Sequence, residues 1–182
     1  VLAHAAGGAR VYVDKSADLK MAEKILVNSK ITKPAACNSL DTILVHQAIA
    51  RTFIPKIKKA MEKHGVKVLT DTDWSKETLS LEVGVKTVAD VDEALEHIRT
   101  YTKHHTEGVI AKDTKVIGKF TRGVDAAAIF VNAATRIHDG YQFDLGSEMG
   151  ISTSRLHARG PVGLRELTTY TWHVYGKGHL RK

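Results

Sequence analysis

Cysteine is nearly missing from this chain: Cys37 is the one example in 182 residues. A lone thiol excludes an internal disulfide and a zinc site built from several cysteines. It leaves an inert buried thiol, a redox sensor or a nucleophile. With no framework of cysteine pairs, the composition suits a reducing, cytoplasmic setting, not secretion. No apolar run approaches the roughly 20 residues of a membrane helix, and no signal-peptide pattern precedes the first strand. No internal repeat or low-complexity tract is present. An initiator methionine is also missing, and the Ala- and Gly-rich start from Val1 to Arg10 reads as a chain entered partway.

What remains is an ordinary globular composition, 43% hydrophobic and 26% charged, long enough for one domain with a good core. The net charge of +7 raises the question of nucleic acid. Lys56, Lys58, Lys59 and Lys63 share one segment, and the chain ends in Gly-His-Leu-Arg-Lys. Neither cluster has interleaved aromatics or a nucleic-acid motif, so they read as solvated lysine faces. The positive field favours small anionic, phosphorylated molecules.

Apolar spacing predicts alternating strands and helices. Val11-Tyr12-Val13 is a short strand, with Asp14 to Ser16 placed to cap a helix whose face carries Leu19, Ala22, Ile25 and Leu26. A strand follows at Thr42 to His46. The amphipathic helix Gln47 to His64 comes next, with Pro55 expected near its start or at a kink, and Gly65 ends it. Strands at Val66–Leu69 and Leu79–Val88 lead to a helix at Val91–Thr102 capped by Asp90. Gly108–Ile110, a helix over Thr114–Phe120 and a strand over Ala126–Val131 repeat the alternation. The pattern predicts an α/β fold with a largely parallel sheet. Residues Asn132 to Gly150 are too long and polar for a simple connection and form a functional-loop candidate. A short helix over Val162–Leu167 and a β-rich strand over Thr168–Tyr175 complete the chain.

Cys37 lies in Pro34-Ala35-Ala36-Cys37-Asn38-Ser39. Small residues leave room for a ligand before it, and Asn38 and Ser39 place polar groups beside the sulfur. A thiol at the mouth of a strand in such a turn is where a substrate carbonyl reaches a nucleophile. Residue types alone leave open the alternative of a small buried hydrophobe.

Five stretches carry a family resemblance: VYVDKSADL at 11–19, PAACNSLDTILVH at 34–46, Asp73-Trp74 with Glu77, VNAATRIHDG at 131–140, and GSEMGISTSRLHARGPVGLRELTTYTW at 146–172. Together they resemble the C-terminal half of the γ-glutamyl phosphate reductase family, within the aldehyde dehydrogenase superfamily. The same half also closes the bifunctional pyrroline-5-carboxylate synthases. The resemblance implies an aldehyde dehydrogenase-like catalytic domain with a mostly parallel sheet and a C-terminal oligomerisation strand. It implies NADPH as cofactor and reduction of γ-glutamyl phosphate in proline biosynthesis. It makes Cys37 the nucleophile, in a site that must lower the thiol pKa itself or through substrate binding. Asn38 and His4 belong to its surroundings. His4 stands 33 residues earlier, near where hydrolytic relatives place a glutamate base. Glu77 matches the position that holds the nicotinamide ribose. Arg136 is suited to grip a substrate carboxylate. Ser147, Ser152 and Thr153 are placed for its polar end, with Arg159 and Arg155 for phosphate.

The implied organisation is 1–30 as the end of a cofactor-domain segment, 31–138 as the thiol domain, 139–167 as a return segment, and 168–182 as oligomerisation strand and tail. The expected partners are a small acyl phosphate, the missing N-terminal half and further copies of the same chain, with no nucleic acid and no membrane. The chain alone is expected not to turn over. His97, His104 and His105 show no carboxylate–histidine spacing and are expected at the surface, with no metal. The altered 101–106 turn, the shortened 68–71 region and the absent half support a second reading: a non-catalytic assembly module of the same fold.

Overall fold

The computed structural model describes residues 6–181. Six parallel strands form its main sheet: β1 (Ala9–Val13), β2 (Leu40–His46), β3 (Lys67–Leu69), β4 (Glu82–Val88), β5 (Thr106–Ile110) and β6 (Ala128–Val131), in the order β3-β4-β2-β1-β5-β6. Period-two alternation divides the side chains between two cores. Val11, Val13, Ile43 and Val45 face α1 (Leu19–Ile31) and α2 (Gln47–Glu62), meeting Leu26, Phe53, Ile57 and Met61. Tyr12 and Leu44 point the other way, toward α3 (Val91–Tyr101) and α4 (Thr114–Gly123), where they join Leu95, Ile98 and Phe120. Strands covered on both faces read as continuous apolar runs, as Ile43-Leu44-Val45 of β2 does. The α/β architecture with a parallel sheet is therefore as expected.

Several local details differ from expectation. Asp18, not the Asp14–Ser16 stretch, caps α1, accepting from Lys20 N at 3.0 Å and Met21 N at 3.1 Å. Asp14 instead accepts from the Tyr12 hydroxyl and Ser16 N. Pro55 sits inside α2, which nevertheless runs on to Glu62. Asp90 caps α3 as predicted, accepting from Asp92 N and Glu93 N. The division near residue 30 marks no break, because β1 is hydrogen-bonded between β2 and β5 in the same sheet. His97 and His105 are buried, correcting the surface reading; His104 is exposed. His97 packs edge-on to Trp74 at 5.3 Å, and its aromatic neighbours hold it inside.

Beyond β6 the chain forms a small antiparallel hairpin, β7 (Gly150–Ser152) with β8 (Gly160–Val162), and a short helix, α5 (Leu164–Leu167). The predicted strand at 168–175 is not formed with any described strand, and Tyr170, Trp172 and Tyr175 are 78%, 83% and 91% exposed. A strand needs a hydrogen-bonded neighbour, and none of the described strands offers this segment one. Among the described residues, no helix is long and apolar enough to cross a membrane.

Candidate active site

The Cys37 turn lies at the amino-terminal edge of the sheet, where several segments enter their strands. The turn is closed by Ala36 N donating to Lys33 O and Ser39 N to Ala36 O. It is then strapped to the entry of β1 by Gly8 N donating to Cys37 O at 2.6 Å and Ala9 N to Ser39 O at 2.9 Å. Glycine is needed there. A Cβ on Gly7 would stand 2.6 Å from Cys37 Cβ, and Gly8 has φ +105.

Asn38 is buried and clasps this turn to the loop after β6. Its Nδ2 donates to His138 O at 2.8 Å, its Oδ1 accepts from Arg136, and its carbonyl accepts from Thr135 Oγ1 at 2.8 Å. Thr135 and Arg136 belong to a 3₁₀ turn at Thr135–Ile137, which Thr135 N also ties to Ser29 Oγ of α1. Thr106 Oγ1 links Nδ1 of His105 and His138, at 2.7 and 2.8 Å. Burial holds the His138 imidazole near a pKa of about 4, so it is neutral and packs against Phe130 and Phe143. The structure thus brings together Cys37, Asn38 and Arg136, three residues that sequence reasoning singled out separately.

Glu77 is half-buried at the entry to β4, beside Thr78. The Thr78 hydroxyl donates to Asp41 Oδ1 at 2.5 Å and accepts from Lys30 Nζ at 3.0 Å, which fixes this corner. Lys30 and Asp41 stand 3.6 Å apart, both buried, and burial moves each toward its neutral form. The Glu77 carboxylate accepts no hydrogen bond and forms no ion pair among the described residues, so its oxygens remain available to a ligand. Acceptor-only oxygens are what two vicinal hydroxyls require.

Cys37 is half-buried, and burial pushes its thiol pKa up. Glu148 and Glu77 add to the rise; the backbone N–H of Cys37 and the Arg136 guanidinium oppose it. Of the two expected routes to a lower thiol pKa, the site itself or substrate binding, the described residues do not supply the first. Glu148 is the residue sequence reasoning missed. It accepts from Gly140 N at 2.8 Å and carries a carboxyl raised by burial. It lies next to Ser147, within the same recognisable string.

The other candidates are more scattered. Ser147 is exposed, Thr153 is half-buried, and Ser152 on β7 accepts from Ser154 N at 3.3 Å. Arg159 and Arg155 approach Asp125 Oδ1 at 2.7 and 2.6 Å. The Arg159 contact is an ion pair by distance without hydrogen-bond alignment, since the facing Nη2 and Oδ1 atoms have no aligned partner. Arg159 thereby fastens the hairpin loop to the entry of β6. His4 lies outside the described residues. Among those residues no group of three or more His, Cys, Asp and Glu could hold a metal ion.

A half-buried thiol, an uncommitted carboxylate and a guanidinium at one sheet edge have the chemistry that acyl transfer calls for. No family model matches the chain. It is 47% identical over 190 residues to γ-glutamyl phosphate reductase of Heliobacterium modesticaldum, covering 96% of this chain and 46% of that protein. The Thermotoga petrophila enzyme of that name is 45% identical, covering 100% of the chain and 48% of the relative. The crystal structure of γ-glutamyl phosphate reductase from Thermotoga maritima superposes with a TM-score of 0.92 at 44% identity, over 100% of this chain and 47% of that one. Its relatives are γ-glutamyl phosphate reductases. The chain spans about half their length. An acetylating aldehyde dehydrogenase from Geobacillus thermoglucosidasius, 18% identical with a TM-score of 0.77 over 97% of this chain and 52% of that one, shares the fold. The Thermotoga petrophila match runs over 197 positions against 182 residues here, so that relative carries residues this chain lacks.

Proposed function

We propose that the full-length protein is an NADPH-dependent reductase of γ-glutamyl phosphate, forming glutamate 5-semialdehyde and phosphate, the second step of proline biosynthesis. The observation that carries this reading is the Cys37 turn: a half-buried thiol tied through Asn38 to Arg136, in a chain matching γ-glutamyl phosphate reductases throughout. The Cys37 sulfur attacks the acyl carbon, its proton leaves, and the C–O bond to phosphate breaks, giving a thioester. NADPH, when bound, supplies the hydride that converts the acyl carbon to the aldehyde level. The resulting thiohemiacetal oxyanion collapses to the aldehyde and expels the sulfur as a thiolate, which takes up a proton. Glu77 is suited to holding the ribose hydroxyls, and the Cys37 N–H is the donor assigned here to the developing oxyanion.

The chain alone lacks most of a cofactor cradle and is expected to be inactive; pairing it with the N-terminal half restores NADPH oxidation. In the full-length protein, Cys37→Ala lowers that rate by about a thousandfold or more. Retention of the rate would overturn the mechanism. The raised thiol pKa also favours a second reading, an assembly module of the same fold, for which a thiol-selective acylating probe should label Cys37 slowly.

A further inference from the structure

Next to the Asn38 clasp lies a cavity of about 280 Å³ lined by Asn28, Thr32, Arg136, Ile137, Asp139 and Gln142. Two opposite charges face it without being paired. Arg136 Nη1 donates to Asn38 Oδ1, Nε is buried without a partner, and the guanidinium meets no carboxylate within ion-pair distance among the described residues. Asp139 uses Oδ1 to accept from Tyr141 N at 3.0 Å and Gln142 N at 3.3 Å, and meets no cation within that distance among the described residues. A guanidinium and a carboxylate held apart across one small space match a molecule that carries both charges on one carbon.

The surroundings reinforce the polarity. Asn28 and Thr32 come from the last turn of α1, whose carbonyl end attracts a cation. Asn28 and Gln142 offer amides able to donate or accept. The site is also joined to the thiol turn: Arg136 bonds the residue next to Cys37 and acts on the thiol electrostatically. The acyl carbon of a γ-glutamyl group is three C–C bonds from its α-carbon, roughly 4 Å when extended.

We propose that this cavity is the α-amino-acid subsite, with Arg136 binding the α-carboxylate and Asp139 the α-ammonium of the γ-glutamyl substrate. The assignment rests on the reductase reading and adds Asp139 as its specificity-determining residue. It explains how the site discriminates among acyl phosphates: an acyl group lacking either charge leaves one half-buried partner unmatched.

The test is calorimetry on full-length Cys37→Ala protein, in which binding is read without turnover, using L-glutamate, glutarate (no ammonium) and 4-aminobutyrate (no α-carboxylate). L-Glutamate should bind about 10- to 100-fold more tightly than either analogue. Adding Asp139→Asn, which keeps the Oδ1 acceptor for the turn, should remove the advantage over glutarate. Adding Arg136→Gln should remove the advantage over 4-aminobutyrate, and Arg136→Lys should restore part of it. Glutarate binding as tightly as L-glutamate, or an Asp139→Asn protein that keeps the preference, would overturn the subsite. Failure of the unsubstituted protein to oxidise NADPH sinks the reductase reading alone, and leaves the binding comparison standing.

Discussion

Residues 9–131 and residues 139–181 obey different rules. In the first region nearly every large apolar side chain on the strands is covered, and even Arg10, Lys30 and Glu107 are buried with partners. In the second, Tyr141, Leu145, Met149, Leu156, Tyr170, Trp172 and Tyr175 stand mostly in solvent. The first region closes its own core. The second has apolar surface with nothing among the described residues to cover it. The site sits at their junction, with Cys37 from the first and Glu148 from the second.

The largest test of this contrast is Phe120→Ala. Phe120 is fully buried with its ring 6.4 Å from Tyr12, and its truncation should cost about 3–5 kcal/mol in chemical denaturation. A loss under 1 kcal/mol would show that the first region is not tightly packed.

Next is the buried Arg10–Glu107 pair, 3.4 Å apart in register between β1 and β5. Burial outweighs the guanidinium and pushes the Glu107 carboxyl from 4.5 up to about 7. The folded protein then holds a proton that the unfolded chain releases. Glu107's contribution is fully present below pH 4.5 and lost as pH rises through about 7. His97 and His138, pushed down to about 4, act oppositely: their contribution is present above pH 6.5 and lost as pH falls through 4. The difference between parent and Glu107→Gln isolates the glutamate. It should shift in favour of Glu107→Gln by up to about 3 kcal/mol between pH 4.5 and 7. A difference independent of pH would contradict the assignment.

A smaller effect reports on the junction. Glu148→Gln removes a negative charge acting on Cys37, so the thiol should titrate lower and alkylate about two- to threefold faster at pH 8. The smallest expected change is Trp172→Ala. Unfolding of the chain should alter by no more than about 0.5 kcal/mol. Sedimentation of the full-length protein should show weakened assembly if copies of the chain cover this tail.

The alternation of strands and helices was legible because apolar spacing reports element type directly. The Asp90 cap and the Cys37 turn were legible for similar local reasons. Strand order was not. Nothing local says that β1 sits between β2 and β5, and so nothing says that Arg10 faces Glu107 across 97 positions. The buried histidines were misjudged because their cover is long-range: Trp74 over His97, and Thr106 with His138 beside His105. The hairpin β7–β8 was missed because three-residue strands lack enough alternation to be seen. Arg159 reads as a phosphate ligand by type, yet Asp125, which it meets, lies 34 residues earlier and gives no sequence signal.

Asn38 connects directly to the residue carrying the sulfur on one side and, through its amide, to Arg136 and His138 on the other. Whatever pulls on that guanidinium pulls on the nucleophile's immediate neighbour, with no intervening spring to absorb the motion. On the proposed function, a ligand gripped by Arg136 would therefore bear directly on the residue beside the sulfur.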